Sequence, residues 1–264
     1  MPDATQQRPF CMPMWQRVVT APAFWSLIVL VVLLMLLEGA VRADLVSSAV
    51  VASPSAALLG IVDLQQKVDI LGALRSTLST TLVAVALELI VAVPLGHLMY
   101  KRRAFSIAYT GWFAALSAAP IFLLYPLFLV IFGRNLVTLI VMGFLPGVIP
   151  LILHVQEGFF GVKQTYINVG ESFALSRRAI FWRIMVPAAA PTIATGVRLA
   201  LMYTLINIVA VEYLVDVGGL GRIVADRYFH FDIPGTYSAI IAVAAVRVFL
   251  NWLIGRGEHW IRSR

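Results

Sequence analysis

Four charged residues fall inside or at the ends of long apolar runs: Glu88, Arg198, Glu212 and Arg247. At the centre of a bilayer such a charge costs at least about 2.5–3.5 kcal/mol unless it is paired or reaches the headgroups. These side chains are therefore expected to face other helices or the membrane surface. Arg198 and Glu212 lie fourteen positions apart, about 21 Å along one helix, so they do not pair with each other and each needs a cross-helix partner. Two roles stay open for them: a buried structural contact, or direct contact with a translocated solute. The four histidines, His97, His154, His230 and His259, are dispersed and lack metal-ligand spacing. No nucleophile elbow or H-E-x-x-H helix occurs. Nothing matches G-x-x-x-x-G-K-[ST], so the chain carries no phosphate-cradling loop and is not expected to hydrolyse ATP itself. The chemistry on offer is binding and movement, not bond making.

The elements that must hold these residues are hydrophobic helices. Of 264 residues, 61% are hydrophobic and 12% charged, against about 45–50% apolar and about 25% charged in a soluble domain. Six stretches approach the length of about 20 apolar residues that a spanning helix needs: 23–41, 76–98, 107–132, 136–155, 188–213 and 237–255. They lack the alternation of a barrel strand, and only helices or closed barrels satisfy their backbone groups in lipid. The expected fold is all-α, a polytopic transmembrane helical bundle of about six spans. Pro94, Pro120, Pro126, Pro146, Pro150 and Pro191 fall in or beside these spans and are expected to kink them around a cavity.

The net charge of +7 is distributed as clusters between apolar runs, which fits loops facing an anionic leaflet rather than a nucleic-acid surface. With the N-terminus inside, the cytoplasmic segments carry Arg8, Arg17, Lys101, Arg102, Arg103, Lys163, Arg177, Arg178, Arg183, Arg256, Arg262 and Arg264. The opposite segments carry half as many: Arg42, Lys67, Arg75, Arg134, Arg222 and Arg227. This bias places both termini in the cytoplasm. The first apolar run follows Arg8 and Arg17 as in a signal peptide, but it ends in Glu38 to Arg42 without a small-x-small cleavage site, so it is read as a retained first span. Cys11 is the single cysteine, which leaves no internal disulfide and no cysteine-built metal site.

Three connections are more than turns. Ser53-Pro54-Ser55 opens a short helix over 56–62 outside the membrane. Residues 214–236 hold Gly218, Gly219 and Gly221. Residues 156–187 are too polar to span, and two short helices there would show Ile167, Val169, Phe173 and Leu175, then Phe181, Trp182 and Met185, among polar neighbours. Such surface apolar patches mark a partner site.

Residues 168–187 resemble the E-A-A-x-x-x-G, x9, I-x-L-P loop of bacterial ABC-importer permeases. Ser176, Arg177, Phe181, Trp182, Arg183 and Pro187 set the register. In that register Asn168 stands for the family's Glu, Val169 and Gly170 for its two alanines, and Ala174 for its glycine. Further pieces follow in order: Ser53-Pro54-Ser55, Ala119-Pro120, Gly196-Val197-Arg198-Leu199-Ala200-Leu201, Ala210-Val211-Glu212, and Gly218-Gly219-Leu220-Gly221. The series is similar to the nitrate/sulfonate/taurine class of these permeases and covers about residues 50–260.

The resemblance implies an ABC type I importer-like subunit of a bacterial inner membrane with cytoplasmic coupling helices. Its coupling residues would be Asn168, Val169, Gly170, Phe173, Ala174, Leu175, Arg177, Arg178, Phe181 and Trp182. The outer gate and translocation candidates are Arg198, Glu212, Gly218, Gly219 and Gly221. Ala174 lacks glycine's freedom at positive φ, so the turn between the coupling helices is expected at Ser176. The implied partners are an ATP-binding-cassette ATPase carrying ATP and Mg, an extracytoplasmic solute-binding protein, a second copy of the chain, and the lipid bilayer. The segments divide as a cytoplasmic 1–22, a transmembrane domain 23–255 with its coupling loop at 156–187, and a basic cytoplasmic tail at 256–264. The cargo is expected to be a small anionic or heterocyclic solute. The competing reading is a secondary transporter without an ATPase, which would show inverted repeats and broken helices at the midplane.

Overall fold

The computed structural model describes residues 22–262. Its elements are all helical: α1 (Pro22–Arg42), α2 (Pro54–Lys67), α3 (Ile70–Lys101), α4 (Arg103–Ala118), a 3-10 turn (Ile121–Leu124), α5 (Tyr125–Phe132), α6 (Leu136–Phe160), α7 (Gln164–Ser172), α8 (Arg177–Val215), α9 (Gly219–Phe229) and α10 (Ile233–Arg262). Arg8, Arg17 and Cys11 lie outside the described residues.

Four of these helices, α1, α3, α6 and α8, are long and apolar enough to cross a membrane. The expected third span is a broken one: α4 and the Ile121–Phe132 segment meet at 77°. Pro120 causes the break, because the residue before a proline is pushed out of the α region, and Ala119 is extended (φ −70°, ψ 136°). The expected sixth span is α10, in which the described apolar stretch is Ile233–Phe249. Among the described residues the count is therefore four full spans, or five with the bent pair, plus this apolar helix.

The core is the α3–α6–α8 trio. At one end Met99, Val155, Phe159, Ile180 and Met185 pack together. Nearer the other end Ala84, Leu139, Met142, Ile208, Val211 and Val215 do the same. The second end is finished by α2, α9 and the start of α10, which meet through Leu64, Leu220, Ile223 and Ala239. There Ser238 donates its hydroxyl to the Ala57 carbonyl at 2.6 Å. By contrast α1 is exposed along nearly its whole length, and near its end Glu38 accepts from the Ser55 backbone N–H at 3.0 Å and hydroxyl at 2.6 Å.

Candidate functional site

The segment after α6 folds as a helix-turn-helix. In α7, Gln164 donates to the Asn168 side chain at 3.1 Å on the exposed face, and Gly170 is buried against α8. A Cβ on Gly170 would lie 2.6 Å from Ile184 Cδ1, so the absence of a side chain is what lets the two helices touch. Where the turn falls corrects the expectation. Ala174, not Ser176, takes the left-handed conformation (φ 52°). The Leu175 N–H reaches the Gly170 carbonyl at 3.1 Å and the Ala174 N–H reaches Glu171 at 2.8 Å, the two bonds of a Schellman ending. Alanine thus occupies the glycine position of this cap because two carbonyls of α7 find their donors there. Ser176 caps the next helix instead, accepting from the Ala179 N–H at 3.3 Å.

The second coupling helix is not a separate short element. Residues 177–185 run directly into the long α8 through one π turn at Phe181–Met185. Pro187 follows it, and a widened turn accommodates a ring that offers no N–H. The helix ties the surface segment rigidly to a membrane span.

The named side chains divide by exposure. Phe173 (76% exposed), Trp182 (59%) and Val169 (50%) stand out from the surface, with Arg177 and Arg178 exposed beside them. Leu175 is half-buried against the core. Phe181 points inward, its ring centroid 4.8 Å from His97 and 5.7 Å from Phe159. It anchors the segment, and Trp182 beside it is the exposed aromatic.

At the opposite end of the trio lies a buried polar cluster built on Glu212, which is fully buried. The Thr77 hydroxyl of α3 sits between its carboxylate oxygens at 2.8 and 2.9 Å, and accepts the Leu220 N–H at 2.9 Å. The Gly221 N–H donates to Glu212 at 3.0 Å. A carboxylate held at the first turn of α9 meets the free N–H groups and partial positive charge of a helix N-terminus. The glycines follow from this contact. Gly218 and Gly219 have φ of 113° and 82°, and a Cβ on Gly219 would strike the Glu212 carboxylate of the same chain. Arg134 braces the arrangement from the α5–α6 connection, donating to the Val215 carbonyl at 2.9 and 2.6 Å.

Glu88 is the second buried carboxylate, and it accepts from the Thr204 hydroxyl at 2.5 Å across α3 and α8. Arg198 lies away from both and donates to the Asn251 side chain of α10 at 3.3 and 3.1 Å. The outer-gate candidates are therefore brought together only in part: Glu212, Gly219 and Gly221 share one site with Gly218 beside it, and Arg198 belongs elsewhere. Thr77, Thr204 and Asn251 were not foreseen. The run Thr77, Ser79, Thr80, Thr81 inside an apolar span was the available signal for the first.

Residues 88–263 match the family described as binding-protein-dependent transport system inner membrane component. The chain belongs to that family. It is 27% identical over 191 residues to a probable ABC transporter permease protein of Brucella melitensis biotype 1, covering 72% of this chain and 76% of that one. A bicarbonate transport system permease protein of Synechococcus elongatus is 28% identical over 137 residues, covering 52% and 49%. An inward-facing structure of the MetNI methionine ABC transporter superposes with a TM-score of 0.57 at 21% identity, covering 71% of this chain and 92% of the other, which establishes a shared fold. This permease is a multi-pass inner-membrane transport component of an ABC importer, and ATP hydrolysis belongs to a separate subunit.

Proposed function

We propose that two copies of this permease form the pore of an importer, that an ATP-binding-cassette subunit docks on residues 156–187, and that an extracytoplasmic solute-binding protein delivers the cargo at the α9 end. The observation that carries this reading is the exposed apolar trio Val169, Phe173 and Trp182 on a segment otherwise anchored by Gly170, Ile180 and Phe181. A rigid joint between that segment and α8 gives a docked ATPase, with its ATP and Mg, a lever on a membrane span. Closure of the ATPases would then switch the bundle between two packed states. The α7 end and both termini are cytoplasmic in this reading, with 1–22 and 256–264 as the terminal segments of the 23–255 membrane domain. The cargo is a small anionic or heterocyclic solute; the likeness to a bicarbonate permease supports the anionic choice.

The test is reconstitution of the permease with its ATPase and binding protein in vesicles. Phe173→Glu and Trp182→Glu should insert and melt as the parent does, yet lose ATP-driven uptake and binding-protein stimulation of the ATPase. Full uptake by the double variant would refute docking at this surface.

A further inference from the structure

Three of the four charges set in apolar runs are tied to other helices: Glu88 to Thr204, Glu212 to Thr77 and Gly221, and Arg198 to Asn251. Arg247 is different. It stands exposed on α10, and among the described residues no hydrogen bond or ion pair holds it. Its position is deep. The apolar run 237–255 extends ten residues to one side of Arg247 and eight to the other, about 15 and 12 Å of helix. The Arg198–Asn251 bond sets the register of α8 against the antiparallel α10. In that register Arg247 is level with Met202, thirteen residues or about 20 Å from the end of α8 at Val215. A guanidinium at such a depth faces a partner or a water-filled cavity.

The space beside Arg247 is a cleft of about 120 Å³ between α8 and α10, walled by Leu205, Ile206, Val209 and Val243. A cavity of about 480 Å³ adjoins it. The second cavity shares Ile206, Val209 and Val243 and runs on past Tyr213 to Phe122, Gly221 and Val224. Together they make one groove from α9, at the Glu212 end, down to the guanidinium. Apart from Arg247 and the Tyr213 hydroxyl, the side chains that line it are apolar. A fixed charge between apolar walls is weakly screened, so it selects by sign. Tyr203, three residues before Ile206 on the same side of α8, is exposed and brings a hydroxyl donor to the level of Arg247.

The depth says which anion the charge meets. A second copy brings no carboxylate to this level from the described residues of its spans: Glu88 and Glu212 are fully buried in the core, and Glu38 and Glu157 lie within four residues of their helix ends. Lipid phosphate belongs to the headgroup layers at the two membrane faces. A dissolved anion entering from the α9 end meets Arg247 at the foot of the groove. We propose that Arg247 is an anion-binding group of the translocation path, holding a small oxyanion or carboxylate solute through its planar fork of N–H donors, with the Tyr203 hydroxyl as a second donor. The inference rests on the importer reading above and gives its anionic cargo a contact inside the membrane.

The test uses the full-length permease with its ATPase and binding protein in phosphatidylcholine nanodiscs, with Cys11→Ser and a reporter thiol from Ile206→Cys. Two water-soluble methanethiosulfonates are compared, one bearing a sulfonate and one a trimethylammonium group. The ratio of anionic to cationic labelling rates should fall about tenfold in Arg247→Gln. Arg247→Lys should keep most of the ratio, and Arg102→Gln, the same charge loss on a loop, should keep all of it. Millimolar nitrate should slow the sulfonate reagent with Arg247 present and not in Arg247→Gln. A reporter that neither reagent reaches, or a ratio indifferent to Arg247, overturns the site. Loss of the ratio on adding phosphatidylglycerol overturns the solute assignment in favour of a lipid headgroup. The labelling needs no ATP, so it holds or fails separately from docking at Phe173 and Trp182. Unchanged melting curves are required of each variant, and Arg247→Lys supplies the comparison with the Arg247 chain should Arg247→Gln unfold.

Discussion

Replacing Thr77 by Val tests whether the Glu212 cluster holds the end of the bundle together. Valine keeps the shape and removes one hydroxyl. That hydroxyl serves three partners, since it lies 2.8 and 2.9 Å from the two carboxylate oxygens and 2.9 Å from the Leu220 nitrogen. A hydrogen bond to a charged group contributes about 1.5–3 kcal/mol in soluble proteins. Between membrane helices the measured average is about 0.6 and the maximum about 1.7 kcal/mol, because the unfolded chain in the membrane also finds partners. The smaller scale governs the Thr77–Glu212 bond. The orphaned Leu220 N–H adds about 1–3 kcal/mol, as the first-turn N–H groups of α9 have no acceptor within their own helix. Thr77→Val should therefore cost about 2 kcal/mol in detergent unfolding, and Thr77→Ser, which keeps the donor, less than about 0.7 kcal/mol. Thr81→Val is the control, for its hydroxyl bonds only the Thr77 carbonyl one turn back at 2.7 Å. In a double-mutant cycle, Thr77→Val and Glu212→Gln should couple by about 1 kcal/mol or more. A Thr77→Val variant no less stable than the Thr81→Val control would refute the cluster as a structural tie.

Three further outcomes are expected. Phe181→Ala should destabilise the purified permease by about 3 kcal/mol, as loss of a packed core aromatic does, whereas Trp182→Ala should stay within about 0.5 kcal/mol; equal effects in unfolding titrations would contradict the inward and outward assignment of the two rings. Ala174→Gly should raise stability by about 1 kcal/mol by removing a Cβ from the left-handed region, with transport retained; a loss of stability would show that the turn does not hold φ near 52°. After Cys11→Ser, Arg102→Cys should react with an impermeant thiol reagent only from the cytoplasmic side and Arg134→Cys only from the other; labelling of both from one side would break the proposed orientation.

What was legible in the sequence follows from which interactions are local. The spans could be read because about 20 apolar residues per helix is a property of each segment alone. The break between α4 and α5 was half legible: Pro120 announced a kink, but a 77° turn also needs the extended Ala119 and the 3-10 turn after it. The coupling turn was misread for a physical reason. Propensity argues against alanine at positive φ, yet a cap that satisfies two carbonyls of α7 while Gly170 is locked under Ile180 and Ile184 outweighs a local cost of about 1–2 kcal/mol.

The Gly218–Gly221 run shows the same limit from the other side. Three glycines in four positions stood as outer-gate candidates, and a contact within the chain accounts for one of them. The Glu212 carboxylate occupies the space that a Cβ on Gly219 would need, and its partner Thr77 is 135 residues away in the chain. No spacing rule links residues so far apart, which is why the intramembrane glutamate, the hydroxyl-rich stretch of α3 and the glycine run read as three separate features. In the fold they are one contact. A substitution at any of the three should therefore loosen α9 from α3 and α8 together, and a role for this end in gating would act through that shared joint rather than through the flexibility of the glycines.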